Sequence, residues 1–236
     1  ANDYFDFIKG TDTEDRIGPL RVTQAGLVTP GQMRNATALV FALAALAGLY
    51  LVVRGGWPIV LIGVTAILWG VLYTGGPAPI GYLGLGDLFV LVYFGPVAVA
   101  GTYYVQAQTL PLLPIVAGLG PGLLSVAILD VNNLRDVEQD RATGKRTLPV
   151  RFGVTFARIE YVLCLLSAII AVPVAMCLLA PGHWPALIAC GSAAAALPAI
   201  RTVFRSTDGD SLNTTLATTG KVLLLFSVLL SVGWLL

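Results

Sequence analysis

Asn132, Asp136 and Asp140 recur at spacing i, i+4, i+8, with Asn133 three residues before Asp136. On one continuous helix they would fall along a single stripe. Amide and carboxylate oxygens in such a stripe suit a hard divalent cation. Lys145 and Arg146 follow across a Thr-Gly turn. The stretch NDYFDFIKGTDTEDRIGPLR (2–21) repeats the pattern, with Asn2 and Asp6 at i, i+4, Asp3 between them, then Lys9, Asp12 and Arg21. Both runs share one grammar: Asn, spaced Asp, then a base beyond a Gly. Two acidic stripes with several bases suit a diphosphate bridged by Mg²⁺. That ion is usually held by a few carboxylates together with substrate phosphates, while Lys and Arg supply the remaining counter-charge. A single DxxxD would more often be a solvated loop. The matched pair of clusters carries the reading.

The elements that must position these residues are apolar. The chain has 236 residues, 56% of them hydrophobic and 11% charged, with a mean hydropathy of +0.82. A soluble domain usually carries about 25% charged residues. Between Arg54 and Asp130 the only charged residue is Asp87, and 161–200 is also uncharged. One membrane crossing needs about 20 mostly apolar residues. Gly and Pro clusters divide the runs into seven candidate helices: 34–53, 58–73, 88–108, 115–131, 156–180, 186–204 and 215–236. The runs do not alternate as barrel strands would. The expected fold is all-α, a polytopic transmembrane helix bundle of seven spans, with 1–236 as one domain.

Seven crossings place thirteen of the fourteen Lys and Arg residues on one side, with only Arg54 opposite. The positive-inside rule makes that side cytoplasmic. All thirteen acids fall there too, so polar chemistry is expected on that face. Cys164, Cys177 and Cys190 stand singly in apolar runs and read as buried free thiols. The lone His183 lies in a short far-side loop and supports neither a His metal site nor Ser-His catalysis. Asp87 reads either as an N-cap for the helix that follows or as a substrate-facing acid. Tyr73, Tyr82, Tyr93, Phe94, Tyr103 and Tyr104 suit an interfacial belt, or a cavity lining that stabilises a cation.

Three segments together resemble the UbiA-type intramembrane aromatic prenyltransferases: 2–21, YTGGPAPIGYLGLGD (73–87) and NNLRDVEQDRATGKRTLPVRFG (132–153). The middle one is similar to the menaquinone-pathway branch, and the likeness runs along the whole chain. The resemblance implies a nine-helix family fold, of which this chain would lack the first two helices. It implies Mg²⁺ bound by Asn2, Asp6, Asn133, Asp136 and Asp140. It implies diphosphate contacts from Lys9, Arg21, Arg141 and Lys145, with Tyr73 and Tyr82 toward the aromatic acceptor. Asp3 and Asp87 are the implied acids for the ring proton. The implied substrates are polyprenyl diphosphate and 1,4-dihydroxy-2-naphthoate, and the implied setting is the lipid bilayer of a bacterial inner membrane. No nucleic-acid partner is expected.

Three other readings compete. Another aromatic quinone precursor would need only a different acceptor pocket. A transporter would carry its acids at the membrane midplane, whereas the centres of all seven expected spans lack charge. A CDP-alcohol phosphotransferase would need a compact DG..AR..G..D..D run, which DVNNLRDVEQD does not provide.

Overall fold

The structure is a computed structural model that describes residues 1–11, 18 and 20–236. Asp12, one of the acids of the first cluster, lies outside the described residues. All seven expected apolar segments are helical. Six helices among the described residues are long and apolar enough to cross a membrane, and the seventh, Trp57–Leu72, is apolar and 16 residues long. The chain is an integral membrane protein of all-α architecture.

In chain order the helices are α1 (Asn2–Ile8), α2 (Pro30–Gly55), α3 (Trp57–Leu72), α4 (Gly86–Ala107) and α5 (Leu112–Arg135). They continue with α6 (Val137–Ala142), α7 (Leu148–Phe152), α8 (Val154–Leu179), α9 (Trp184–Arg205) and α10 (Gly209–Leu235). Local chemistry explains their ends. Thr29 and Gln32 form a capping box and Pro30 starts α2, which stops at Gly56, where φ is +68°. Pro58 then sits in the first turn of α3, where its missing N–H costs nothing. Inside α4 the Gly95-Pro96 pair breaks the ladder: Gly95 takes φ −109°, ψ −110°, and a π-turn spans Tyr93–Val97. Pro at this position removes a donor and kinks the helix.

The chain divides into two compact units. The first comprises Ala1–Gly86 with Glu138–Thr147: α1, α2, α3, a 3₁₀ turn at Ile80–Leu83 and nearly all of α6. In it α2 packs on α3 and α1 touches α2. The second comprises Asp87–Val137 with Leu148–Leu236 and holds α4, α5 and α7–α10. Its core is built on α5, which packs against α4, α8 and α10. Leu124, Ala127, Val131, Tyr161, Leu165 and Phe226 fill that core.

Small residues let these helices approach. A Cβ at Gly118 would stand 2.7 Å from the Pro96 Cα, and one at Gly122 would stand 2.7 Å from the Leu91 carbonyl oxygen. A Cβ at Gly120 would meet the Phe226 ring at 2.6 Å. Lipid gives no hydrophobic drive to helix association, so such backbone contact is the main source of packing. One polar pair, Tyr161 and Thr219, shares a 2.9 Å hydrogen bond between α8 and α10, which satisfies both hydroxyls in the apolar interior.

The single stripe expected for Asn132, Asp136 and Asp140 is broken. α5 ends at Arg135, Asp136 takes φ −95°, ψ 9°, and α6 starts at Val137. The Arg135 guanidinium donates to both carboxylate oxygens of Asp136, each at 2.7 Å. Neighbours in sequence do not face each other on a helix. The chain leaves the helical path where that pair forms.

Candidate active site

The shared grammar of the two clusters has one structural cause. Asp6 stands three residues before the helix-ending Lys9, and Gly10 follows with φ +68°. The Gly10 N–H donates to the Phe7 carbonyl and the Thr11 N–H to the Asp6 carbonyl, each at 3.0 Å. At the end of α6 the same bonds recur. Gly144 has φ +75°, its N–H donates to the Arg141 carbonyl at 3.3 Å, and the Lys145 N–H donates to the Asp140 carbonyl at 2.8 Å. Both ends are Schellman caps, whose left-handed position favours glycine. Each cap folds the residue after glycine back beside its aspartate. Thr11 thus lies beside Asp6, and Lys145 beside Asp140.

Both aspartates are buried, Asp6 at 4% exposure and Asp140 at 6%. They lie in the first unit around one ammonium: Lys145 Nζ is 3.6 Å from Asp6 Oδ1 and 4.0 Å from Asp140 Oδ1. Arg21 adds a guanidinium 3.8 Å from Asp6 Oδ2. The hydroxyls of Thr11 and Tyr82 donate to Asp6 Oδ1 at 3.1 and 3.3 Å, and the Thr147 hydroxyl donates to Asp140 Oδ2 at 3.3 Å. Gln139 ties α6 to the first cluster by donating to the Thr11 carbonyl at 3.0 Å.

The loop after α3 is stitched into this group. Lys9 Nζ donates to the carbonyls of Thr74 (2.6 Å) and Gly76 (3.2 Å), and the Thr74 hydroxyl donates to Asn2 Oδ1 at 3.1 Å. The Arg146 N–H donates to the Tyr82 carbonyl at 2.9 Å. Lys9 and Lys145 lie 4.9 and 5.1 Å from the Tyr82 ring centre, within cation–π range. Partial burial, with Lys145 nearby, holds the Lys9 ammonium below its usual pKa, against the opposing pull of Asp6. Burial, aided by the Asp6 and Asp140 carboxylates, pushes the Tyr82 phenol up to about 12 despite its Thr11 hydrogen bond.

Hard oxygen donors from two buried carboxylates, surrounded by bases, fit a divalent cation carrying phosphate oxygens. In the second unit, Arg135 gathers Asp136, Asn132 (2.8 Å) and Asn213 (2.7 Å).

The family model described as "UbiA prenyltransferase family" matches residues 1–235. The chain belongs to the UbiA prenyltransferase family. It is 44% identical over 172 residues to the 1,4-dihydroxy-2-naphthoate octaprenyltransferase of Escherichia coli, covering 70% of this chain and 56% of that protein. The protein of the same name from Haemophilus influenzae is 41% identical over 177 residues, with 72% and 57% covered. That from Mycobacterium leprae is 34% identical over 228 residues, with 97% and 76% covered. The matched region spans a little over half the length of the first two relatives. UbiA family enzymes generally depend on a divalent metal.

Within this UbiA family chain the expected site residues do not all meet. Asn2, Asp6, Lys9, Arg21, Tyr82, Asp140 and Lys145 join one network in the first unit. Arg141, largely exposed, pairs with Glu138 on its own helix at 3.0 Å. Tyr73 ends α3, and its carbonyl accepts from the Gly81 N–H at 2.9 Å. Asp3 keeps a buried Oδ1 without a hydrogen-bond partner. Asp87, in the first turn of α4 rather than before it, stands with Asp130 and Glu160. Sequence reasoning passed over Thr11, Thr74, Gln139, Thr147 and Arg135. The KGT and GKRT runs carried a signal for Thr11 and Thr147, because each threonine follows a cap glycine closely enough to turn back on its aspartate.

The high phenol pKa gives a prediction. Tyr82 stays neutral through the working pH range and donates a hydrogen bond rather than serving as a base. Tyr82→Phe is expected to lower kcat about tenfold, the scale of one hydrogen bond to a charged group. The pH–rate profile should keep its shape. A profile that lost a basic limb in the variant would assign Tyr82 the proton-transfer role instead.

Proposed function

We propose that this chain transfers a polyprenyl group from polyprenyl diphosphate to 1,4-dihydroxy-2-naphthoate, releasing diphosphate and carbon dioxide and giving demethylmenaquinone in its quinol form. One observation carries the reading: Lys145 lies between the buried carboxylates of Asp6 and Asp140. The names and identities of the relatives support the choice of acceptor. The chain is proposed to act as one prenyltransferase domain over 1–236, with its site facing the cytoplasm of a bacterial inner membrane.

Asn2, Asp6 and Asp140 would hold Mg²⁺ in the first unit, and Asn133 and Asp136 are proposed as ligands on their sequence pattern. Mg²⁺, when bound, supplies Lewis-acid neutralisation of the departing diphosphate. Lys9, Arg21 and Lys145 stabilise the same charge as the allylic C–O bond breaks. Arg141, at the exposed edge, is proposed to meet the diphosphate from outside. The Tyr73 and Tyr82 rings offer faces to the acceptor, and the apolar helices shelter the allylic cation from water. A ring carbon attacks, forming the new C–C bond. That carbon then gives up its proton, the carboxyl group leaves as carbon dioxide, and a proton takes its place. Asp3 and Asp87 both keep a buried carboxylate oxygen without a hydrogen-bond partner. Asp3 stands on the helix of Asn2 and Asp6, so it is the base assigned to the ring proton.

The test uses membranes carrying the protein, Mg²⁺, labelled polyprenyl diphosphate and carboxyl-labelled acceptor. Prenyl label is expected in the naphthoquinol fraction, matched one for one by labelled carbon dioxide. Diphosphate release without either product would describe a hydrolase and overturn the proposal.

A further inference from the structure

Three carboxylates outside the diphosphate site converge within the second unit. Asp87 comes from the first turn of α4, Asp130 from α5 and Glu160 from α8. One oxygen from each lies within 4.8 Å of the others. Asp130 is 2% exposed, faces the other two, and its Oδ2 has no hydrogen-bond partner. Asp87 Oδ1 and Glu160 Oε2 are likewise buried atoms that no donor reaches. Among the described residues no Lys or Arg forms an ion pair with any of the three.

Packing alone cannot account for this arrangement. Three carboxylates in an apolar setting repel one another and lose their hydration, and the one hydrogen bond within the group, between Asp130 and Glu160, still leaves an oxygen of each residue without a partner. A buried salt bridge or a hydrogen-bonded network would leave no orphan oxygens. A cation at the centre satisfies all three at once. Points no more than 4.8 Å apart can each sit roughly 2.8 Å or less from a common centre, close to the 2.3–2.6 Å of Ca²⁺–oxygen bonds. All-oxygen donors select Ca²⁺, Mn²⁺ or Mg²⁺ over softer metals. Asp87 and Glu160 are only half-buried, which leaves room for water to complete the shell and for an ion to enter. Asp130 lies about 8 Å along the axis from the Arg135 end of α5.

We propose that Asp87, Asp130 and Glu160 bind one divalent cation of Ca²⁺ or Mn²⁺ size, which clamps α4, α5 and α8 together. This site needs no phosphate ligand, unlike the cation expected at Asp6 and Asp140. It therefore stands or falls independently of the reaction proposed above.

The experiment titrates metal-stripped protein in detergent with Mn²⁺, without any diphosphate, and reads free Mn²⁺ by electron paramagnetic resonance. One saturable site is expected, displaced by Ca²⁺, with a rise of several degrees in Tm on loading. Asp130→Asn and Glu160→Gln should each weaken Mn²⁺ binding about tenfold or more, because charge count sets affinity in such sites. Both should abolish the Tm rise. Asp140→Asn should leave both unchanged. In chelator, Asp130→Asn should melt no lower than the parent, since the amide removes a repelling charge; this also checks that the variant folds. Absence of a saturable Mn²⁺ site in the folded parent would overturn the proposal. So would binding that survives Glu160→Gln, binding lost in Asp140→Asn, or a Tm that follows pH and ignores Ca²⁺ because protons hold the triad.

Discussion

Asp140→Asn is expected to lower prenyl transfer by about two to three orders of magnitude while leaving the protein folded. Asp140 has two separable roles. Its backbone carbonyl closes the cap that ends α6, accepting from the Lys145 N–H at 2.8 Å. Its side chain sits by Lys145 and accepts from Thr147. Asparagine keeps the backbone bond and one side-chain oxygen for Thr147. It loses the negative charge that a hard cation requires. Asp6→Asn removes the matching carboxylate and should fail to the same degree. Asp136→Asn should also abolish turnover. It breaks a paired hydrogen bond from the buried Arg135 as well, so its Tm must be read beside its rate.

Asp208→Asn is the control. Asp208 is exposed and caps α10 by accepting from the Ser211 N–H at 2.9 Å, and Asn caps about as well as Asp. Bonds from Ser206 and Ser211 hold its carboxyl down at about 2, against an ordinary 3.8. The sign follows from linkage. The cap's contribution is complete above the ordinary value and is lost as pH falls toward about 2, far from any assay condition. Turnover in this variant should match the parent. The measurement is kcat in membranes at saturating and at limiting Mg²⁺. Normal turnover by Asp140→Asn at limiting Mg²⁺ would remove it from the ligand set.

A second large effect is expected in acceptor choice. With one polyprenyl diphosphate, kcat/KM for 1,4-dihydroxy-2-naphthoate should exceed that for 4-hydroxybenzoate by at least about a hundredfold. A ring-sized mismatch removes several kcal/mol of positioning, and roughly 1.4 kcal/mol is tenfold in rate. The loop at 73–87 is the proposed reader of the ring. It is anchored to the first cluster by Lys9, Thr74 and Tyr82, so a ring that rests on it would be held beside the diphosphate-binding bases. Equal values for the two acceptors, or a preference for the benzoate, would leave only the diphosphate half of the mechanism standing.

Much of this was legible before any coordinates. Uncharged runs long enough to cross a bilayer foretold α2, α4, α5, α8, α9 and α10, because hydropathy over twenty residues is a local property. The paired Asn and Asp spacings marked the two clusters, whereas the separate short helices α1 and α6, each closed by a cap at the glycine four residues after Asp6 or Asp140, came only with the structure. Expected boundaries missed where a break depends on side-chain pairing. The stripe through Asp136 failed because Arg135 draws that carboxylate out of helical register, a competition that spacing cannot rank.

The chain's own pattern therefore determined that it is a polytopic helical protein with two Asn–Asp clusters, which is where the proposed chemistry is placed. Helix formation, capping and lipid burial are decided within a few turns of chain. Only the tertiary structure decided which charges meet: Lys145 between Asp6 and Asp140, Tyr82 bonded to Asp6, and Asp87 with Asp130 and Glu160. Those pairings bring together residues far apart in sequence. In the second unit, glycine contacts such as Gly95 with Gly118 and Gly122 set which helix faces meet through backbone packing; in the first, hydrogen bonds such as that from Gln139 to the Thr11 carbonyl join segments distant in sequence.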